Sequence, residues 1–268
     1  MFTRRRGAKL AAFGVASALV LAACAGDDSE TPAEPGDETE ASTEEPAADV
    51  TVTHTFEQEI STYNSNPAED NASKNAIVLQ RVQSGFWFFG EDGVVTNDAD
   101  FGTYELVSED PVTVEYSIND AAVWSDGNPI DCDDVLLWWA VNSGNFPDFS
   151  VAGTTGTELV AVPDCAAGDK SYTAVYSEPF ADWEATAGAQ ATGMLPAHVV
   201  EEQAGLSEDE FIAAVQGGDT AALADAAAFH NTGWIFDGAL PDEALIPSSG
   251  PYKLDSWEPG QSITLTAN

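Results

Sequence analysis

The chain has 268 residues, room for one large domain or two small ones, and 44% of them are hydrophobic, so a sizeable core is within reach. Its 46 acidic residues against 8 basic ones give a formal charge of −38. A field of that sign repels nucleic acid, anionic lipid headgroups and phosphorylated or polyanionic ligands.

In chain order, the first segment reads as targeting rather than fold. Arg4, Arg5, Arg6 and Lys9 precede an apolar run from Leu10 to Ala23. That run is shorter than the about 20 residues a membrane-spanning helix needs. It ends in Leu21-Ala22-Ala23-Cys24, which resembles the bacterial lipobox. Residues 1–23 are therefore expected to be a lipoprotein signal peptide and Cys24 the lipidated first residue of the mature chain, whose charge is 4 − 46 = −42. Residues 24–49 carry ten acidic residues, no basic ones and several Pro and Thr. Such a segment cannot bury enough apolar surface to offset chain entropy, and a disordered, extended acidic tether is expected.

Val50, Val52, His54 and Phe56 alternate with threonines, which predicts a strand with a packed histidine. Tyr63-Asn64-Ser65-Asn66-Pro67 is turn-rich. Residues 71–83 read as a helix with Ile77, Val78 and Val82 on its apolar side, stopped by Gly85, and Phe86–Phe89 form an aromatic block read as core. A hairpin is expected from Tyr104–Val107 and Val112–Ile118, with Val112, Val114, Tyr116 and Ile118 facing inward.

Residues 123–139, VWSDGNPIDCDDVLLWW, join a strand, a tight turn and a capped helix. Asp126-Gly127 is a turn signal and Asp131 a good N-cap. Asp133 and Asp134 lie in the first turn, where the helix dipole favours negative charge. The spacing does not fit a calcium-binding EF-hand loop, because Pro129 and Ile130 occupy its middle and no distal Glu follows. These acids read as turn and cap chemistry, and no metal site is expected.

A loop at 145–156 carries Phe146 and Phe149, and Glu158–Val162 with Tyr172–Tyr176 read as a strand pair. Cys132 and Cys165 remain as an even pair in an exported chain, which points to a disulfide, the alternative being two free buried thiols. Pro196 opens a helix, Ser207-Glu208-Asp209-Glu210 fits a capping box, and residues 220–229 form an Ala-rich helix. The last hairpin pairs Tyr252–Trp257 with Ile263–Thr266.

Three of these stretches, in this order, resemble the solute-binding proteins of peptide and nickel ABC importers, the family-five class. They are Trp124-Ser125-Asp126-Gly127 with its acidic-capped Trp-rich helix, Met194-Leu195-Pro196-Ala197-His198, and Ser249-Gly250-Pro251-Tyr252 followed by Pro259-Gly260-Gln261 and Asn268. The resemblance implies a mixed α/β (α+β) fold, a periplasmic-binding-protein-like type II lobe. It implies a first lobe from 50–70 and 179–268 with 71–178 as an inserted subdomain. Family members continue into a second large lobe, so the C-terminal lobe is expected to be absent from this chain. The implied function is capture of short peptides or a similar small solute outside the membrane and delivery to a permease driven by a cytoplasmic ATPase. The localisation implied is extracytoplasmic, with the lipid as membrane anchor. By resemblance, Tyr63, Asn64, Ser65 and Asn66 are candidate ligand-binding residues, with Phe146 and Phe149 as further aromatic contacts. A second reading is a surface lipoprotein that uses this lobe as a scaffold for a protein partner.

Hydrolase, Walker, dinucleotide and zinc-protease motifs are absent, and His54, His198 and His230 show no ligand spacing. No enzyme activity, cofactor or nucleic-acid partner is expected.

Overall fold

The Trp-rich stretch folds as its residues dictate. In the computed structural model, which describes residues 50–189 and 193–268, Gly127 takes the left-handed conformation (φ 92°) that the turn requires. Val123 bridges Pro129 across it. Helix α2 (Cys132–Asn142) follows at once, and the Asp134 carboxylate accepts from the backbone N–H of its cap residue Asp131 at 3.2 Å. Every residue from Cys132 to Val141 is buried, so the apolar face read from Val135, Leu136, Trp138 and Trp139 is one side of a helix enclosed all round.

The elements before it are helix α1 (Ser73–Leu79) and strands β1 (Trp87–Phe89), β2 (Val95–Asn97), β3 (Gly102–Glu109) and β4 (Val112–Ile118). After it come β5 (Ser171–Val175), helices α3 (Ala197–Ala204), α4 (Glu208–Gly217) and α5 (Ala224–Thr232), and strands β6 (Tyr252–Glu258) and β7 (Ser262–Ala267). All pairings between these strands are antiparallel: β1 with β2, β3-β4-β5 in that order, and β6 with β7. Along β4, Val112, Val114, Tyr116 and Ile118 are buried, the period-2 pattern expected. Tyr116 and Tyr172 stack across β4 and β5 with ring centroids 4.9 Å apart, and Phe86 meets Tyr116 edge-on at the same distance. Residues 54–268 form one unit around a continuous core.

Cys132 and Cys165 are joined, which ties the 165–169 loop to the start of α2. A loop of 33 residues closed this way is worth about 3–4 kcal/mol in the chain-entropy model. The Ser207 box forms as expected: Glu210 accepts from the Ser207 N–H at 3.0 Å while Ser207 Oγ accepts from the Glu210 N–H at 3.4 Å.

Other expectations are corrected. Residues 50–56 form no strand, and Val50 and Val52 are 81% and 86% exposed, with His54 exposed as well. The alternation supplies β propensity, but no strand among the described residues pairs with it. The arm at 158–162 is a short 3-10 turn (Thr157–Leu159) and a single bridge from Val160 to Tyr176, on the edge of the strand pair that β5 forms with β4. Helix α1 is shorter than expected and buries Asn75 and Leu79, with Val82 buried beyond its end. Phe89 at the end of the aromatic block is 65% exposed. The signal peptide, Cys24 and the tether lie outside the described residues.

Two features lock residues 61–66 into the fold. Tyr63 donates its backbone N–H to Trp234 O at 3.0 Å, and Phe236 returns one to Ser61 O at 2.8 Å. Asn64 Nδ2 donates to His230 O at 2.8 Å and lies 3.3 Å from His230 Nε2, while His230 Nδ1 lies 3.3 Å from Asn231 Oδ1. Nε2 thus accepts and Nδ1 carries the proton, a neutral ring. Burial holds this imidazole at about 4, below its ordinary 6.5. The unfolded chain therefore binds a proton that the folded one refuses. The contribution is complete above about pH 6.5 and is lost as the pH falls towards about 4, at about 1.4 kcal/mol per pH unit. In urea unfolding at a series of pH values, the difference in stability between the native chain and His230→Asn should carry this slope; a constant difference would show that His230 does not titrate this way.

Gly250 makes a second prediction. Its N–H donates to Val82 O at 2.8 Å, and a Cβ there would lie 2.8 Å from Arg81 O and from Val82 C, which are backbone and cannot yield as a side-chain end would. Gly250→Ala is expected to cost about 1–3 kcal/mol, an overpacking penalty. Thermal unfolding should show it as a lower midpoint, by about 2–4 °C for each kcal/mol.

Candidate functional site

A cleft of about 300 Å³ opens between the Asn66–Asn71 segment, α2 and the loop 151–157. Asn66 stands on one wall, and its carbonyl accepts from the Ala152 N–H at 2.8 Å, which ties that wall to the loop. Trp138 and Asn142 project from α2, four residues apart and so on one face of the helix. Thr154, Thr155 and Thr157 come from the loop, and Trp87 and Thr186 close the remaining side. The loop's approach is held by Asn231 of α5, whose Oδ1 accepts from Ser150 N and whose Nδ2 donates to Asp148 O, both at 2.8 Å.

The chemistry of the lining is amide, hydroxyl and indole. No Asp, Glu, Lys, Arg or His is among the lining residues, although the chain carries 46 acids. Trp87 Nε1 is buried and has no partner among the described residues. Such a surface offers donors and acceptors for neutral polar groups and aromatic faces for apolar ones, and holds no general acid, base or nucleophile of shifted pKa.

Of the residues singled out from sequence, Asn66 lines this cleft. Tyr63, Asn64 and Ser65 are buried beneath it, at 2% exposure or less. The Tyr63 hydroxyl donates to Pro247 O, Gln83 Nε2 donates to Tyr63 O at 2.7 Å, and Asn64 Oδ1 accepts from the Asn66 N–H at 2.9 Å. They position Asn66. Phe146 and Phe149 are packing residues, the first edge-on to Trp139 and the second to His230, and neither lines the cleft. Phe146 does border a second recess of about 470 Å³ with Trp139, Val160 and Gln216. Asn71, Trp138, Asn142 and the three threonines were not foreseen. The one local signal was the four-residue spacing of Trp138 and Asn142.

The shifted carboxyls lie together elsewhere. Burial pushes Asp134 up to about 7 and Glu201 up to about 8, and it pushes Asp133 well up, with the charges of Asp134 and Glu201 adding to the effect. None of these three lines the cleft. Oxygens of Asp131, Asp133 and Glu208 lie within 4.8 Å of one another, the one grouping among the described residues with the donor set for a metal.

Comparison with known proteins places this architecture. An uncharacterised lipoprotein of Mycobacterium tuberculosis (strain ATCC 25618 / H37Rv) is 35% identical over 210 residues, 77% of this chain and 37% of that protein. The oligopeptide-binding protein OppA of the same strain is 31% identical over 116 residues, 43% of this chain and 20% of that protein. The solved structure of the periplasmic EDTA-binding protein EppA superposes with a TM-score of 0.60 at 28% identity, covering 79% of this chain and 34% of that one. The chain thus spans about a third of the length of the lipoprotein and of EppA. The mixed α/β fold expected from sequence is the fold of these neighbours. No helix among the described residues is long and apolar enough to cross a membrane. Residues 103–268 match the family described as bacterial extracellular solute-binding proteins, family 5 Middle, and this chain belongs to that family.

Proposed function

We propose that this chain is the ligand-capturing part of a lipid-anchored, extracytoplasmic binding protein that takes up short peptides and hands them to the permease of an ABC importer. The observation that carries the reading is the neutral cleft. A peptide presents a repeating N–H and C=O to whatever holds it, and the carboxamides of Asn66, Asn71 and Asn142 and the hydroxyls of Thr154, Thr155 and Thr157 can answer both. Trp138 and Trp87 offer apolar faces for side chains. Every ligand group buried here must find a partner, since an unpaired one costs about 1–3 kcal/mol. The similarity to OppA supports the same ligand class.

The lobe assignment belongs to the same proposal. Segment 50–70 and residues 179–268 form one lobe, supported by the bridge from Thr62 to Ile235 and by Glu59, which accepts from Trp257 Nε1 at 3.0 Å. Residues 71–178 form the inserted part, and Cys24 carries the anchor.

The test is thermal unfolding of the full chain against neutral tri- to pentapeptides built from Gly, Ala and Phe. Ligand at about 100 times its dissociation constant stabilises the folded state by about 2.7 kcal/mol, so the midpoint should rise saturably. Asn142→Ala, which removes a lining amide from a half-buried position, should weaken the apparent affinity by roughly tenfold, corresponding to about 1.4 kcal/mol. A midpoint that no peptide moves would refute the peptide reading and leave the scaffold reading in its place.

A further inference from the structure

We propose that Asp131, Asp133 and Glu208 form a binding site for one calcium ion, joining the start of α2 to the start of α4. Carboxylate oxygens of the three lie within 4.8 Å of one another. Around a calcium ion with oxygen ligands at about 2.3–2.6 Å, no two ligands are farther apart than about 5 Å, and the spacing of these three meets that limit. The donors are hard oxygens alone, which suits calcium or magnesium and not zinc or copper.

The grouping is not a solvated surface patch. Asp131 and Asp133 are 3% and 6% exposed, and Glu208 is half-buried. Asp131 Oδ1 is fully enclosed and has no hydrogen-bond partner among the described residues. Glu201 on α3, close enough for its charge to act on Asp133, is 5% exposed and its Oε1 is equally without a partner. Buried carboxylates are ordinarily paired with a cation or with donors. The ion pairs among the described residues are His198 with Asp126 and Lys253 with Glu243, neither of which reaches this place. One enclosed carboxyl oxygen without a donor, on Asp131, beside two further carboxylates within 4.8 Å, is the geometry of a cation site.

The neighbouring acids are accounted for differently. Asp134 is saturated by Trp124 Nε1, the Ala197 N–H and the Asp131 N–H, and Asp126 is paired with His198. The turn-and-cap reading of this stretch holds: Asp131 forms a capping box with Asp134, and Asp133 Oδ1 accepts from the Asp134 N–H at 2.7 Å. Asp131 and Asp133 have a further neighbour in Glu208, which arrives from the first turn of α4 and which no local motif could announce. The site is braced from outside: Cys132, between the two aspartates, is bonded to Cys165. Both helix starts favour anionic groups, so the carboxylates can remain charged when a cation sits between them.

The experiment is titration of the full chain with calcium chloride in about 0.15 M potassium chloride, where exposed charges are screened beyond about 8 Å. Heat and unfolding midpoint are both read. The expected result is one saturable ion per chain and a midpoint that rises by several degrees. Glu208→Gln, at a half-buried helix start, should lose the rise, and Asp133→Asn should lose it too. Asp209→Asn, on the adjacent residue of α4 but outside the group, should keep it. A native chain whose midpoint ignores calcium, or a rise that Glu208→Gln retains, would overturn the proposal. So would a midpoint that ignores calcium but climbs on mild acidification, since the carboxyls would then share protons instead of a metal.

Discussion

The structure depends on one buried carboxylate. Asp134 is fully enclosed and accepts from three donors: Trp124 Nε1 at 3.1 Å, the Ala197 N–H at 2.8 Å and the Asp131 N–H at 3.2 Å. Each donor belongs to a different element: the turn before α2, the first residue of α3, and the cap of α2 itself. A buried charge with its lone pairs filled is tolerated, whereas removing one donor leaves an acceptor uncompensated at about 1–3 kcal/mol. The adjacent contacts repeat the pattern. His198 Nε2 lies 2.9 Å from Asp126 Oδ2, and Ser125 and Ser248 exchange two bonds, N–H to carbonyl at 2.8 Å and N–H to hydroxyl at 2.9 Å. Asn268 then reaches back to Gly250 O at 2.9 Å. The three sequence stretches that carried the family resemblance are thus the three parties to one network, and their spacing along the chain is the length of chain needed to return to it.

That network also orients the cleft. Asp134, Trp138 and Asn142 follow one another at intervals of four, so they lie along one stripe of α2, with the carboxylate at one end and the lining residues at the other. A helix enclosed on all sides cannot rotate without opening a cavity, and the disulfide at Cys132 fixes its first turn. Against this fixed wall stands the 61–66 segment, held through Tyr63 and Asn64 rather than through Asn66, the residue that meets the cleft. Division of labour of this kind holds the cleft wall in place without help from a ligand.

Much of this was legible in the chain because it rests on short-range rules. The turn at Gly127, the Ser207 box, the β4 alternation and the β6-β7 hairpin each follow from residues within a few positions of one another. What escaped depends on partners distant in sequence. The 50–56 alternation needed a neighbouring strand, and none pairs with it among the described residues. The 158–162 arm meets the free edge of β5 only around Val160, its start being taken up by the 3-10 turn. Phe146 and Phe149, expected by resemblance to be aromatic contacts for a ligand, are instead drawn inward by Trp139 and His230. The threonines at 154, 155 and 157 carry no pattern at all, and become a wall only because Asn66 and Asn231 clamp the loop that bears them.

The placement of charge separates two tasks that composition alone confuses. With 46 acidic residues, the chain projects a negative field, but at physiological salt that field fades within about 8 Å of the surface. It therefore bears on solubility and on which molecules approach. A molecule inside the cleft would meet only amides, hydroxyls, indoles and small apolar groups. An anion entering there would meet repulsion outside and no cation inside, and a cation would be drawn near but find no carboxylate to seat it. A neutral polar molecule meets neither cost, and how tightly it is held turns on whether each of its buried donors and acceptors finds a match. Acids that do reach the interior lie elsewhere: Asp131, Asp133 and Asp134 at the start of α2, where backbone N–H groups and the helix dipole favour them, and Glu201 within α3. The neutrality of the cleft is thus a local property, achieved by keeping carboxylates off its lining, in a chain whose overall balance would have pointed the other way.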